Sequence, residues 1–337
     1  MWDLKTKLRI EKSEYCSGKL LNESSIPILK DRNYLVKEYS LDGDAPKQFI
    51  KAYIYEEDGT VRKLNRKTWH SYIAKTAEKW YPHESLIEFM LNRIGQVLNI
   101  RMNETKLTKA NTQIRFLSKY FLKNNEQLIH GADICGQHLE DMALAKQIAD
   151  HAPTARELFT FEFIEEAIRE VFPTAHASIL ADLVKMLTFD VITGNNDRHF
   201  YNWGVISTKK KTQKLPTFSP IFDSARGLLW NWSDENIIEQ LTLMPKGGKK
   251  IEKYIIKASP RISIEEKKDA NHFELLSFVK NKSKTYKAIV DNLTCEKIEN
   301  QILKMLNKEF YPFFIPERRE LVTYILNHRF KKIRSSV

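Results

Sequence analysis

The chain is poor in the residues that staple or interrupt small folds. Three cysteines, Cys16, Cys135 and Cys295, stand far apart in 337 residues and match no metal spacing. A disulfide framework and a cysteine-built zinc site are thereby excluded, and a reducing cytoplasm is the expected home. No stretch approaches the roughly 20 apolar residues of a membrane span. Residues 1–12 mix charge with apolar side chains and lack an apolar signal-peptide core. There is no internal repeat, no low-complexity tract, and no zinc-finger, helix-turn-helix or RNA-binding motif. Strong polybasic or amphipathic membrane anchors are missing as well, so no membrane partner is expected.

What is present is a composition able to fold. Hydrophobic residues make up 42% and aromatics 11%, enough for a sizeable core in two lobes. The net charge is +11, with lysine-rich or arginine-rich runs at residues 209–214, 246–253 and 329–334. Such runs suit solvated loops and helix ends, contact with nucleic acid, or a positive cleft for an anionic ligand. Charge alone does not choose among them.

Patterning divides the chain. Residues 33–39, 48–55 and 69–75 are β-branched and aromatic-rich, as strands are, with a turn at residues 56–59. From Pro82 onward Leu86, Phe89, Met90, Ile94, Val97 and Leu98 recur at helical spacing. A further strand pair ends within residues 115–122. Beyond about Asp133 helical periodicity dominates, over residues 158–171, 175–192, 234–243, 264–280, 286–292, 295–307 and 316–329. The expectation is an α+β chain of two lobes in the manner of protein kinases: a strand-rich lobe over residues 1–121 and a mainly helical lobe over residues 122–337, with a cleft between them.

The chemistry concentrates in one string. Residues 197–202 read D-R-H-F-Y-N, just after an apolar helix, and Asp223 follows in the context P-I-F-D-S. Phosphoryl transfer asks little of a protein: a carboxylate to orient the attacking hydroxyl, an amide and a second carboxylate to hold magnesium, and a cation on the phosphates. Asp197 fits the first role, Asn202 the amide, and Asp223 the second carboxylate. Single Asp and Asn residues are common in turns; the ordered set is what points to a phosphotransferase. His199 packs or orients the loop beside the nucleotide.

These segments resemble HipA-family serine/threonine kinases, bacterial enzymes that are often toxins of toxin–antitoxin pairs. The resemblance runs from about Ser40 to Phe273. It implies ATP and Mg²⁺ as cofactors, a protein acceptor with a Ser or Thr hydroxyl, and a DNA-binding antitoxin as partner. It also assigns roles upstream. Residues 40–47 have the form S-x-x-G-x-x-x-K of the family's phosphate loop, so Gly43 and Lys47 would face the phosphates. Lys75 would be the strand lysine, with Lys51 as its rival. Its helical carboxylate would be Glu88, with Glu84 as the alternative. The hinge to the adenine would lie in residues 118–122, through Lys119 and Tyr120. Ser40 stands where several members are autophosphorylated. The basic segment at residues 245–250 and the helix start at Asn271, His272 and Phe273 are similar to family segments too.

Two departures matter. Few residues precede Gly43, so the N-terminal subdomain of many members is expected to be absent or truncated. Asp223 is followed by Ser224, Ala225 and Arg226 and not by Phe-Gly, so a mobile activation segment is not expected. The competing readings are a phosphoinositide-type lipid or small-molecule kinase on the same fold, and a nucleic-acid-binding regulatory protein.

Overall fold

The computed structural model describes residues 16–37, 47–77, 80–110, 113–210 and 214–335. Ser40 and Gly43 lie outside the described residues.

The N-terminal part is an antiparallel five-stranded sheet that holds one long helix. Its strands are β1 (Tyr34–Lys37), β2 (Lys47–Ala52), β3 (His70–Lys75), β4 (Thr105–Ala110) and β5 (Gln113–Lys119), in the spatial order β1-β2-β3-β5-β4. Period-two alternation sends its side chains to opposite faces. Ile50, Tyr72, Ala74 and Leu117 form one apolar face with Leu29 and Tyr34. The cross-strand pairs Lys47↔Lys75, Phe49↔Ile73 and Lys75↔Phe116 share the other face. The helix α1 (His83–Val97) packs on β4 and β5 and buries Leu86, Met90 and Ile94.

The rest is helical, apart from a three-stranded sheet. It comprises β6 (Glu126–His130), α2 (Gly131–His138), α3 (Met142–Asp150), α4 (Ala152–Leu158), α5 (Phe161–Val171), α6 (His176–Thr193), β7 (Gly204–Thr208) and β8 (Thr217–Phe218). Then come α7 (Asp234–Leu243), α8 (Lys250–Lys257), α9 (His272–Lys282), α10 (Lys284–Thr294), α11 (Glu296–Glu309) and α12 (Pro316–Ser335). The small sheet has the order β6-β7-β8. The mixed α+β class, strand-rich first and helical after, is as expected. Among the described residues no helix is long and apolar enough to cross a membrane.

Three elements depart from the periodicity. Residues 158–171 are not one helix: the Thr160 hydroxyl accepts from the Phe163 N–H at 3.2 Å and starts α5 afresh. Residues 264–271 are not helical either. Asn271 Oδ1 accepts from the Phe273 and Glu274 N–H groups, and the Glu274 carboxylate accepts from the Asn271 N–H at 2.8 Å. That reciprocal cap fixes the start of α9. The basic run at residues 246–253, given no helix in the periodicity, leads into α8, an amphipathic helix that buries Ile251 and Ile255.

The first described residues tie the two parts together. Ser17 Oγ and His83 Nδ1 are 2.9 Å apart, Asp234 donates its N–H to the Ser17 carbonyl, and Arg318 Nε donates to Asp234 Oδ1 at 2.9 Å. All four residues are buried. Burial, reinforced by Arg318, pushes the His83 pKa down to about 2, so the ring is neutral. This buried seam joins the N-terminal segment, α1, α7 and α12.

Candidate active site

The helix α6 sets the site. Ile179, Leu180, Leu183, Met186 and Leu187 are buried in the core, so the helix end is rigid. Gly194 caps it at φ +68°, a left-handed conformation that glycine adopts without a Cβ penalty, and turns the chain into the D-R-H loop.

Arg198 is the organiser of that loop. Its Nε and Nη2 each lie 3.0 Å from a carboxylate oxygen of Asp190, one on each. Nη1 donates to the Asn202 and Phe222 carbonyls at 3.2 and 2.7 Å, and Nη2 also donates to Ser224 Oγ at 2.8 Å. One buried guanidinium therefore clamps the loop carrying Asp197 and Asn202 to the segment carrying Asp223. Asn195 completes the frame: Nδ2 donates to Asp190 at 2.8 Å, and Oδ1 accepts the Asp197 N–H at 3.2 Å. Asp190 was not singled out from sequence. Its signal was an acid on the buried face of an otherwise apolar helix.

Asn202 Nδ2 donates to the Asp197 carbonyl at 2.9 Å, which leaves the amide oxygen available as a hard donor. Asp223 has φ +53°, an uncommon conformation for a residue with a side chain. Its carboxylate meets the sheet: Lys75 Nζ lies 2.6 Å from Asp223 Oδ1 and 3.0 Å from Glu88 Oε1. The structure thus joins Lys75 to Glu88 and not to Glu84. Lys51 stands on the same face opposite Ser71, with no ion pair among the described residues.

Electrostatics follow the geometry. Desolvation works against the Lys75 ammonium, but Asp223 and Glu88 prevail and hold its pKa above the ordinary lysine value. Desolvation also opposes ionisation of Asp223, whose side chain is nevertheless 42% exposed; Lys75 outweighs it and lowers the pKa to about 2. Lys47 adds to that pull. Glu88 goes the other way: burial raises its pKa to about 7 against the attraction of Lys75. Burial lowers the His199 pKa, although Asp197 and Asp223 pull upward. His199 Nδ1 accepts the Tyr201 N–H at 3.3 Å, which places the ring hydrogen of the neutral form on Nε2.

The hinge residues are only partly placed as expected. Lys119 sits in register with Tyr72, on the face away from Lys75, and pairs with Glu104 at 2.7 Å. The backbone N–H groups of Lys119 and Tyr120 are already donated, to Glu104 and Ser71, at 2.9 Å each. Neither N–H is therefore open to adenine. The Tyr120 ring meets Phe49 edge-on at 5.5 Å. Phe49 and Ile73, missed from sequence, line the Lys75 face as apolar surface. A narrow recess beside Lys75 is lined by Glu88, Asn103, Thr105, Phe116, Ser118 and Asp223.

Asp197 itself is held by two arginines not singled out from sequence. Arg261 Nη2 lies 2.9 Å from Oδ1, and Arg226 Nε 3.1 Å from Oδ2.

The model of the HipA-like C-terminal domain matches residues 39–302. The fold is similar to the proinflammatory kinase CtkA of Helicobacter pylori: TM-score 0.66 and 16% identity, over 89% of this chain and 94% of that one. A second similar structure is HipA of Shewanella oneidensis MR-1, solved with HipB and operator DNA: TM-score 0.48 and 12% identity, over 88% of this chain and 65% of that one. No curated protein matches the sequence.

Proposed function

The chain belongs to the family of the HipA-like C-terminal domain, and on that premise we propose that it is an ATP- and Mg²⁺-dependent kinase acting on a serine or threonine hydroxyl of a protein. One observation carries the reading. Lys75 bridges Glu88 and Asp223, while Arg198 locks the Asp197–Asn202 loop to the Asp223 segment. A strand lysine, a helical acid, an orienting acid and two hard oxygen donors are thereby assembled from four separate segments.

In this reading residues 1–121 form the N-terminal lobe and residues 122–337 the C-terminal lobe, with the nucleotide between them. Gly43, Lys47 and Lys75 face its phosphates, and Phe49 and Ile73 cover the base. The donor set suits magnesium. Asn202 Oδ1 and the Asp223 carboxylate are hard oxygens, and magnesium is commonly held by one or two protein oxygens plus phosphate and water. Magnesium would supply charge neutralisation at the phosphates. Asp197 accepts the hydrogen bond of the acceptor hydroxyl and aims its oxygen at phosphorus. His199, neutral and near both carboxylates, offers its Nε2 hydrogen to the nucleotide.

Radiolabelled ATP with protein and lipid acceptors tests the proposal. Label is expected on protein, and Asp197→Ala and Asp223→Ala are expected to lose transfer while keeping a cooperative melt. Unchanged transfer in either variant, or label on lipid alone, would defeat it. The family also suggests a toxin role with a DNA-binding antitoxin. The same variants test it in cells, where growth arrest by the unmodified chain is expected to disappear.

A further inference from the structure

We infer that Arg226 and Arg261 are catalytic residues that hold the equatorial oxygens of the phosphoryl group during transfer, an inference that rests on the kinase reading. The other cations of the site are already committed. Arg198, the arginine of the D-R-H string, spends its donors on Asp190, Ser224 and two backbone carbonyls. Lys75 is bound to Glu88 and Asp223. Neither stands at Asp197.

Arg226 and Arg261 do. They come from unrelated segments, one just after the Asp223 carboxylate and one from the loop before α9, and they converge on the two oxygens of a single carboxylate. Two guanidinium groups on one carboxylate leave a local excess of one positive charge. Their side chains are 40% and 32% exposed, so this charge faces an opening, not the core. A guanidinium has five N–H donors; Arg261 donates one to Asp197, and Arg226 is paired with it by charge across 3.1 Å. Arg226 also makes a cation–π contact with Trp230, its Cζ lying 5.3 Å from the ring centre. An ion pair that served stability alone would be complete with one arginine. Two, beside the group that aims the acceptor, make a site for a further anion.

Phosphoryl transfer brings that anion there. The acceptor oxygen–phosphorus bond forms as the bond to the β,γ-bridging oxygen breaks; ADP leaves with the electron pair, and the hydroxyl proton passes to Asp197. Charge spreads over the equatorial oxygens in between, where preorganised donors act most strongly.

The test uses the full chain and binding of Mg·ADP with and without aluminium fluoride, which mimics the group in flight, measured by calorimetry. Aluminium fluoride should tighten ADP binding to the unmodified protein. In Arg226→Gln and Arg261→Gln the tightening should fall on the order of 100-fold, while binding of Mg·ADP alone changes by less than about threefold. Arg226→Lys and Arg261→Lys keep the charge and guard against misfolding; they should recover part of the tightening. Undiminished tightening in the Gln variants would overturn the inference, even if the KM for an acidic acceptor rose. Lack of tightening in the unmodified protein, with Mg·ADP bound, would overturn it too and leave the kinase reading standing. Failure to bind Mg·ADP at all would overturn both.

Discussion

Two carboxylate–arginine clusters sit seven residues apart in sequence and do opposite things. At Asp190 the pair with Arg198 is bidentate and buried, and all three guanidinium nitrogens of Arg198 donate. At Asp197 the two arginines are half open, and their donors are only partly used. The first cluster holds geometry; the second is free to exchange partners. In the proposed reading the buried charge positions and the open charge takes part in transfer.

The largest expected effect breaks the closed cluster. Arg198→Ala or Asp190→Ala leaves a buried charge without its partner, which costs about 3–5 kcal/mol. The partly exposed pairs at Asp197 are of the class worth about 1 kcal/mol or less, so Arg226→Ala and Arg261→Ala should melt near the unmodified chain. Denaturant unfolding measures both. Equal losses at the two clusters would erase the distinction.

A smaller effect compares two lysines on one sheet face. Lys75→Met should lower phosphotransfer on the order of 100-fold, as loss of one preorganised cation does. Lys51→Met should leave it nearly unchanged, since Lys51 has no ion pair among the described residues. A reversed ranking would move the phosphate site along β2.

The smallest effect is in pH. Glu88 is raised in the fold to about 7 from its ordinary 4.5. Its contribution to stability is therefore full below about pH 4.5 and is lost as the pH rises through 7. Asp223, lowered to about 2, has the opposite sign: its contribution is present above its ordinary value of 3.8 and fades as the pH falls through 2. Glu88→Gln should flatten the decline in stability between pH 5 and 8 seen in urea titrations. A decline that survives the substitution belongs to another group.

Much of this was legible in the chain. The strands around Lys75, the helix bearing Glu88 and the string at residues 197–202 carry local signals: alternation, helical period, and turn residues in order. What was not legible depends on long-range packing. Arg226 and Arg261 reach Asp197 from 29 and 64 residues downstream, and no local pattern marks them. Asp190 reads as a polar lapse on an apolar helix until Arg198 folds back on it. The strand β6 is an edge strand with weak alternation, and α8 hides its two buried isoleucines among lysines. Lys119 was assigned to the hinge by position, but strand parity turns its side chain away from the cleft.

The most direct measurement is phosphoryl transfer from γ-labelled ATP in Mg²⁺ by the unmodified chain, Asp197→Ala and Asp223→Ala, each with its unfolding curve. The account predicts label on a serine or threonine with the unmodified chain, and a loss on the order of 100-fold to 10,000-fold in both variants, with folding retained. Transfer that persists in a folded Asp197→Ala protein would contradict it.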